Sequence, residues 1–546
     1  MTEAKRERLW PLCRTTGEPM GNVYTAGYSE AGGSHKKRSM RDFDPVSASP
    51  AEDIDFNNLT LRQRSRMLYM SGSVGTSAIN TVRTKVVGTG LTLKSEIGRD
   101  FLGLDEDRAK DWQRRTEAEF RLWGDRRENC DALGLSTFSA LEQLVLKSWL
   151  LSGDVFVLFK YADPTPMNPY TLRLHVIEAD RISTPVWCTG KSYWNTSQTE
   201  GKVPEGKPGA GNAVHDGVEV DRDGRIVAYY ICDRYPQSML YSAEKAEWTR
   251  VEAFGKETGL PNILHITEGE RPDQYRGVPY LTPVVENILQ LRRYTESELM
   301  AALVQSFFTA WVETEADTNE FPLNDTDPGG GLPEDEEPER ENEYRMGPGT
   351  VLHLRKGEKV QFGSPNIPTV GFDVFVKTIS RTVGAALEMP YEVLLKEFTS
   401  SYSASRGALL EAWEAFRMRR SWLVDAFCRP VYERWLTEAV AIGRVQAPGF
   451  FADPLLRTAW CGSQWIGPVQ GQLDPKKEAE AALALASYGV KTYQQITREF
   501  GGGDFMANAE ELKRENDALE AAGAIEYEIP DTTDPSDLDA KHPEDR

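Results

Sequence analysis

Residues 371–442 read GFDVFVKTISRTVGAALEMPYEVLLKEFTSSYSASRGALLEAWEAFRMRRSWLVDAFCRPVYERWLTEAVAI. Two helical patterns flank a polar interruption. The first spans roughly Gly371–Leu387. The interruption carries Pro390-Tyr391 and then Ser400-Ser401-Tyr402-Ser403. The second pattern runs from about Ala404 to Ile442, on the order of 55 Å at the helical rise. Leu409, Trp413, Phe416, Leu423, Phe427 and Val431 recur at spacings of three, four or seven, so one face is apolar. Pro430 predicts a kink, because its ring clashes with the preceding turn and it offers no N–H. Arg406, Glu411, Glu414, Arg417, Arg419 and Arg420 occupy other faces, where solvated charge is the ordinary arrangement. A long strut with a polar loop at its head points to a mechanical part rather than a catalytic cleft.

Upstream of this stretch the period changes. Leu59–Val87 reads as one helix ending at Gly88-Thr89-Gly90, and Asp105–Trp123 and Thr137–Leu151 read as helices. Val155–Phe159 and Thr171–Ile177 read as strands. Gly217–Asp221 and Arg225–Ile231 form a hairpin pattern about Arg222-Asp223-Gly224. Residues 189–214 read as a polar loop. A long helix is expected over Val278–Thr309, then an acidic segment over Glu313–Glu343, then strands near Val351–Leu354 and Val360–Phe362. Short helices follow Pro475, with Thr492 and Gln495 as a capping box. The fold class is α+β.

The 546 residues allow several domains, and 40% apolar content supports real cores. The net charge of −21 argues against tight nucleic-acid binding, which needs Lys and Arg to displace counterions, yet it suits a surface that DNA slides past. The six cysteines are scattered, with no zinc-ribbon or disulfide-framework spacing, and read as buried free thiols. No signal peptide is expected at MTEAKRERLWPLC. The run Leu141–Phe159 carries Glu142, Lys147 and Asp154, which argues against a membrane span.

Enzyme motifs fail on inspection. Gly190-Lys191-Ser192 resembles a P-loop end, but Pro185 stands where the first glycine belongs. Glu219, Asp221, Asp223 and Gly224 mimic a calcium loop whose twelfth position is Tyr230, not a carboxylate. No two of the six histidines form a zinc-protease pair, and Gly-x-Ser-x-Gly is absent. The polar loop Glu268–Arg276 has a catalytic look, but such arginines more often tie a turn to carboxylates or to a partner subunit.

Four blocks carry a resemblance. They are Leu61–Arg66 with Val86–Gly90; His175–Arg181 (HVIEADR) with Gly217–Tyr230; Ile263–His265 with Glu270–Pro279; and Met389–Glu392 with Tyr402, Ser403 and Arg406. In this order the chain resembles the lambda-family portal proteins of tailed bacteriophages over roughly residues 40–520. The family commonly has Asn-Tyr-Ser-Ser where Ser401-Tyr402-Ser403-Ala404 stands here.

The resemblance implies a portal fold assembled as a ring, typically of twelve subunits, with wing, stem, clip and crown. Residues 1–57 would be an N-terminal arm and 58–278 the α+β wing. Stem helices would occupy 279–312 and 366–389, with the clip between them at 313–365. A channel loop would occupy 390–403, the long helix and following wing segment 404–474, and crown helices 475–523, before an acidic disordered tail at 524–546. The DNA-facing residues would be Lys396, Glu397, Phe398, Thr399, Ser400, Ser401, Tyr402 and Ser403. Lys396 would either touch phosphates transiently or pair with Glu392 or Glu397. Glu334, Asp335, Glu336 and Glu337 would present the clip to partners. Arg271, Gln274, Arg276 and Arg406 would act within or between subunits. The implied partners are the terminase large subunit, head–tail connector proteins, the major capsid protein and scaffold, and double-stranded DNA in the channel, with no cofactor, metal or membrane. The implied place is the virion's portal vertex, after assembly in the host cytoplasm. The competing reading is a DNA-packaging or DNA-processing enzyme of terminase or nuclease type.

Overall fold

The computed structural model describes residues 47–189, 200–236, 238, 246–306, 310–314, 358–362, 371–398, 401–471, 474–501 and 503–522. A π-helical turn at Ala51–Asp55 leads into α1 (Phe56–Ser71) and α2 (Ser73–Val86). Next come β1 (Thr92–Ser95), α3 (Arg99–Leu102), α4 (Glu106–Gly124), α5 (Arg127–Cys130) and α6 (Phe138–Ser152). The sheet region comprises β2 (Asp154–Tyr161), β3 (Leu172–Glu178), α7 (Val186–Thr189), β4 (Glu200–Lys202), β5 (Ala213–His215), β6 (Val218–Val220), β7 (Ile226–Cys232), β8 (Trp248–Glu252) and β9 (Ile263–Thr267). Then follow α8 (Val285–Ser306), β10 (Ala310–Thr314), β11 (Glu358–Phe362), α9 (Phe372–Ala386), α10 (Tyr391–Leu395), α11 (Tyr402–Leu423) and α12 (Arg429–Ala441). The chain continues through α13 (Pro454–Trp460), β12 (Ser463–Ile466), α14 (Pro475–Ser487), α15 (Tyr493–Gly501) and α16 (Phe505–Ala521).

The mixed α+β class holds. Antiparallel sheets run in the orders β3-β2-β9 and β4-β5-β6-β7-β8, with two-stranded pairs β1-β12 and β10-β11. The hairpin expected about Asp223 is β6–β7, where the Asp221 carboxylate accepts from Asp223 and Arg225 N–H and Gly224 takes φ 81°. Glu219 is buried on the Arg250 guanidinium (2.7 Å) and the Tyr230 hydroxyl (2.9 Å), a structural tie and no calcium loop. The strands β4 and β5 lie in the stretch read as polar loop; three residues each, they carry too short an alternation to register.

Two helix readings change. The helix expected over Leu59–Val87 is broken at Gly72, which is extended (φ −113°, ψ 121°) and where a Cβ would lie 2.7 Å from the Leu68 carbonyl oxygen. The helix expected over Ala404–Ile442 is interrupted by a π-helical turn at Val424–Cys428. Pro430 sits in the first turn of α12, immediately after it. Widening the coil there relieves the ladder that the proline would otherwise break. The capping box holds, with Thr492 N–H on Gln495 Oε1 (3.0 Å) and Gln495 N–H on Thr492 Oγ1 (3.2 Å).

The main core gathers the apolar faces of α2, α4, α6, α11 and α12 against β2 and β3. At its centre the Phe120 ring meets Trp123, Phe138, Tyr432, Trp435 and Trp465 at centroid distances of 5.1–5.9 Å, mostly edge-on. Edge-on packing sets ring hydrogens against neighbouring π faces and adds about 0.5–1.5 kcal/mol per pair to area burial. Trp413, Phe416, Phe427 and Val431, marked by their helical spacing, are all buried in this core.

Candidate tunnel segment and the joint that holds it

The segment between α9 and α11 is more structured than a loop. Helix α9 ends at Ala386, and Met389 N–H reaches back to Gly384 O (2.8 Å) while Glu388 takes φ 51°. That is a Schellman turn with glutamate where glycine usually sits. Pro390 then opens α10, whose Glu392, Val393 and Leu394 are buried. Ser77 of α2 donates to Leu394 O (2.7 Å). A second turn of the same kind follows, with Lys396 at φ 58° and Glu397 N–H on Glu392 O (3.0 Å). Ser401 caps α11 by accepting from Ala404 N–H.

The expected loop of Lys396–Ser403 is therefore shorter. Lys396 belongs to the cap of α10, and Tyr402 and Ser403 are already helical because Ser401 supplies the N-cap oxygen. Lys396 and Phe398 are exposed. Glu397 is held by Lys377 of α9 (3.3 Å), which also pairs with Asp373 (3.0 Å). Thr399 and Ser400 lie outside the described residues, as do Glu334, Asp335, Glu336, Glu337, the strand expected at Val351–Leu354, Gly190-Lys191-Ser192 and the acidic tail.

Behind this segment is a joint that the sequence did not single out. Arg419 of α11 is buried and pairs with Glu388 (2.7 Å), while its guanidinium lies over the Tyr280 ring (4.8 Å). The Tyr280 hydroxyl donates to Leu387 O, and Tyr280 N–H donates to Leu150 O (2.9 Å). The end of α9, the entry to α8 and the shaft of α11 are thus tied at one point.

A second node is built on two fully buried side chains, Arg276 and Asp154. Arg276 donates to Asp154 through Nε (2.6 Å) and Nη2 (3.2 Å), to Asp216 Oδ2 (2.7 Å), and to the carbonyls of Ile182 (3.0 Å) and Ala179 (3.0 Å). Arg62 of α1 lies beside it, 3.6 Å from Asp154 and 3.3 Å from Asp216. Arg66 pairs with Glu178 (3.0 Å) and Asp180. Three of the four resemblance blocks, around Arg62, Asp180 and Arg276, converge here.

Burial would raise the Asp154 carboxyl, but Arg276 and Arg62 outweigh it and hold it well below the ordinary range. The same carboxylates drive Arg276 upward against its burial. Burial, with Asp216 nearby, pushes Asp55 up to about 7. His265, 3.6 Å from Asp154, is pushed down by burial.

The other nominated residues make contacts within the chain. Arg271 binds Asp53 and Ala48 O (3.0 Å). The Gln274 amide accepts from Glu270 N–H (2.8 Å) and Arg271 N–H (3.0 Å) and donates to Arg276 O (2.8 Å). Arg406 reaches Glu478 of α14 (2.9 Å). Among the described residues no cluster of His, Cys, Asp or Glu could hold a metal, and no helix is long and apolar enough to cross a membrane.

Comparison with known proteins gives a consistent result. Residues 36–420 match the model of the phage portal protein, lambda family. The chain is 24% identical over 521 residues to portal protein B of Escherichia phage lambda, covering 91% of each chain. It is also 24% identical over 517 residues to the portal protein of Escherichia phage N15, again covering 91% of each. Among solved structures it is similar to a chain in the neck of a native gene transfer agent particle computed with C12 symmetry. That match is 13% identical, covers 82% of this chain and 94% of the other, and has a TM-score of 0.39. The chain belongs to the lambda family of phage portal proteins.

Proposed function

We propose that copies of this chain form the ring at one capsid vertex through which double-stranded DNA is packaged and later ejected. The observation that carries this reading is the family match across residues 36–420, which contains the tunnel segment and both nodes behind it. In the proposed ring, typically of twelve subunits, residues 58–278 and 404–474 form the wing. Residues 279–312 and 366–389 form the stem, 313–365 the clip and 475–523 the crown. The clip docks the terminase large subunit and afterwards head–tail connector proteins, while the wing meets the capsid protein and scaffold. Assembly takes place in the host cytoplasm and ends in the virion.

The chain acts as a conduit and does no chemistry. The net charge of −21 per chain repels a passing duplex and keeps it from sticking. The energy of translocation comes from a partner. Exposed Leu299, Met300 and Leu303 on α8, with Val374 and Phe375 on α9, leave apolar surface that neighbouring copies would cover.

Replacing Phe398, Thr399 and Ser400 by glycine tests the tunnel role without disturbing the Ser401 cap. Rings form as before, and packaged DNA per particle falls. Loss of rings would make the segment an assembly element, and unchanged packaging would remove it from the DNA path.

A further inference from the structure

Arg419 of α11 is a buried guanidinium with one end unused. Its Nη2 donates to Glu388 Oε2 (2.7 Å), and its guanidinium carbon lies 4.8 Å from the centre of the Tyr280 ring. The residue is 5% exposed, and Nη1 is buried with no hydrogen-bond partner among the described residues. Buried donors are almost always paired, because an unpaired one has given up water for nothing. The orphan nitrogen therefore asks for a cause.

A second carboxylate stands in the field of the same guanidinium. Glu268 follows directly on β9, and β9 packs against the π-helical turn Val424–Cys428, which continues α11 just past Arg419. Desolvation pushes the Glu268 carboxyl up, Arg419 draws it back down, and Glu388 and Glu270 push it up again. The Tyr280 hydroxyl feels the same three groups, Arg419, Glu388 and Glu268. Glu268 is exposed and makes no hydrogen bond or ion pair of its own among the described residues.

The two carboxylates belong to different parts of the fold. Glu388 is the left-handed residue of the α9–α10 turn, at φ 51°, a conformation that a non-glycine residue keeps only while its surroundings hold it. Glu268 opens the loop that leads to Arg276, where Gln274 Oε1 accepts from Glu270 N–H and Arg271 N–H. One buried cation thus faces two exposed carboxylates that repel each other, and it has a donor to spare.

We propose that Arg419 is an exchangeable joint: its free nitrogen takes Glu268 as a second acceptor, so that Glu268 and Glu388 compete for one guanidinium. In the first setting Arg419 locks the α9–α10 turn. In the second it locks the loop after β9, and the strained turn at Glu388 relaxes. Glu268 is then a positioning residue for the tunnel segment that the turn carries. That consequence rests on the conduit reading, and the exchange itself does not.

Hydrogen exchange on the full-length chain, with no DNA present, reads both ends of the joint. Met389 N–H, bonded to Gly384 O (2.8 Å), reports the turn, and Glu270 and Arg271 N–H report the loop. Glu388→Gln speeds exchange at Met389 about threefold and slows it by a similar factor at Glu270 and Arg271, because the guanidinium passes to Glu268. Glu268→Gln does the reverse, slowing Met389 and speeding the loop. Each variant turns an exposed carboxylate into its isosteric amide, so the core is left as it is. A merely stabilising role for either carboxylate would not give opposite signs at the two ends. Both ends moving in the same direction, or no change at Glu270 and Arg271 in Glu388→Gln, would overturn the proposal. Since the readout contains no DNA, a failed packaging test of the tunnel segment would fault the conduit reading and leave the joint standing.

Discussion

Arg276 shows what a single side chain does here. Its guanidinium, itself fully buried, satisfies carboxylates and carbonyls from three separate parts of the chain. Removing one partner of such a pair strands the other charge in low dielectric, which costs about 3–5 kcal/mol. Arg276→Met is expected to lower unfolding stability by that amount in urea titration. Arg276→Lys is expected to restore little, since an ammonium cannot make the forked contact with Asp154. A loss below about 1 kcal/mol would mean that the node is hydrated and weak. Glu142 gives a second test. Burial pushes it up to about 8, and its oxygens accept from Leu91 N–H (2.8 Å) and face Cys428 Sγ (3.6 Å). The folded chain keeps a proton that the unfolded chain has released, so stability falls as pH rises from about 4.5 to about 8 and is level above that. Asp55 adds a slope of the same sign up to about 7. Glu142→Gln is expected to flatten the urea midpoint against pH between 5 and 8, and an unchanged slope would show that Glu142 is ionised in the fold. Sequence alone marked Arg276 as a tie but not its partners. Asp154 appeared only as a charge interrupting an apolar run, 122 residues away, and pairing at that distance leaves no local pattern.

At the scale of elements, the turns around α10 carry the account. Both close with charged residues in the left-handed region, and each charge is put to different use: Glu388 is fixed by Arg419, whereas Lys396 points outward. Gly384→Ala would place a Cβ 2.4 Å from Met389 O, so it is expected to cost about 1–3 kcal/mol and to loosen the α9–α10 turn in thermal unfolding. A neutral result would mean that the turn shifts freely. Helices were legible wherever apolar periodicity ran long, as in α9 and along α11 and α12. Boundaries were lost where one residue type serves two purposes. Ser401 reads as loop serine yet is an N-cap, and Lys396 reads as loop lysine yet ends a helix. The π-turn at Val424–Cys428 left no trace in spacing, because Phe427 and Val431 still fall on the buried face.

At the scale of the molecule, the described chain is unevenly self-sufficient. The helices α2, α4, α6, α11 and α12 bury a large aromatic core with β2 and β3, while α14 has one buried residue, Ala482, and α15 and α16 have none. Tyr488, Val490, Tyr493, Met506 and Leu519 stand exposed on that part of the chain. Such elements gain stability from neighbours rather than from their own core. The family was legible in the order of four short blocks, and three of them meet in one buried charge cluster that no window of sequence contains. Whether this chain is a conduit is decided by its assembly. Native mass spectrometry with electron microscopy of the purified full-length chain is expected to show closed rings of about twelve copies around a hole of DNA width. A stable monomer that hydrolyses ATP would contradict the account.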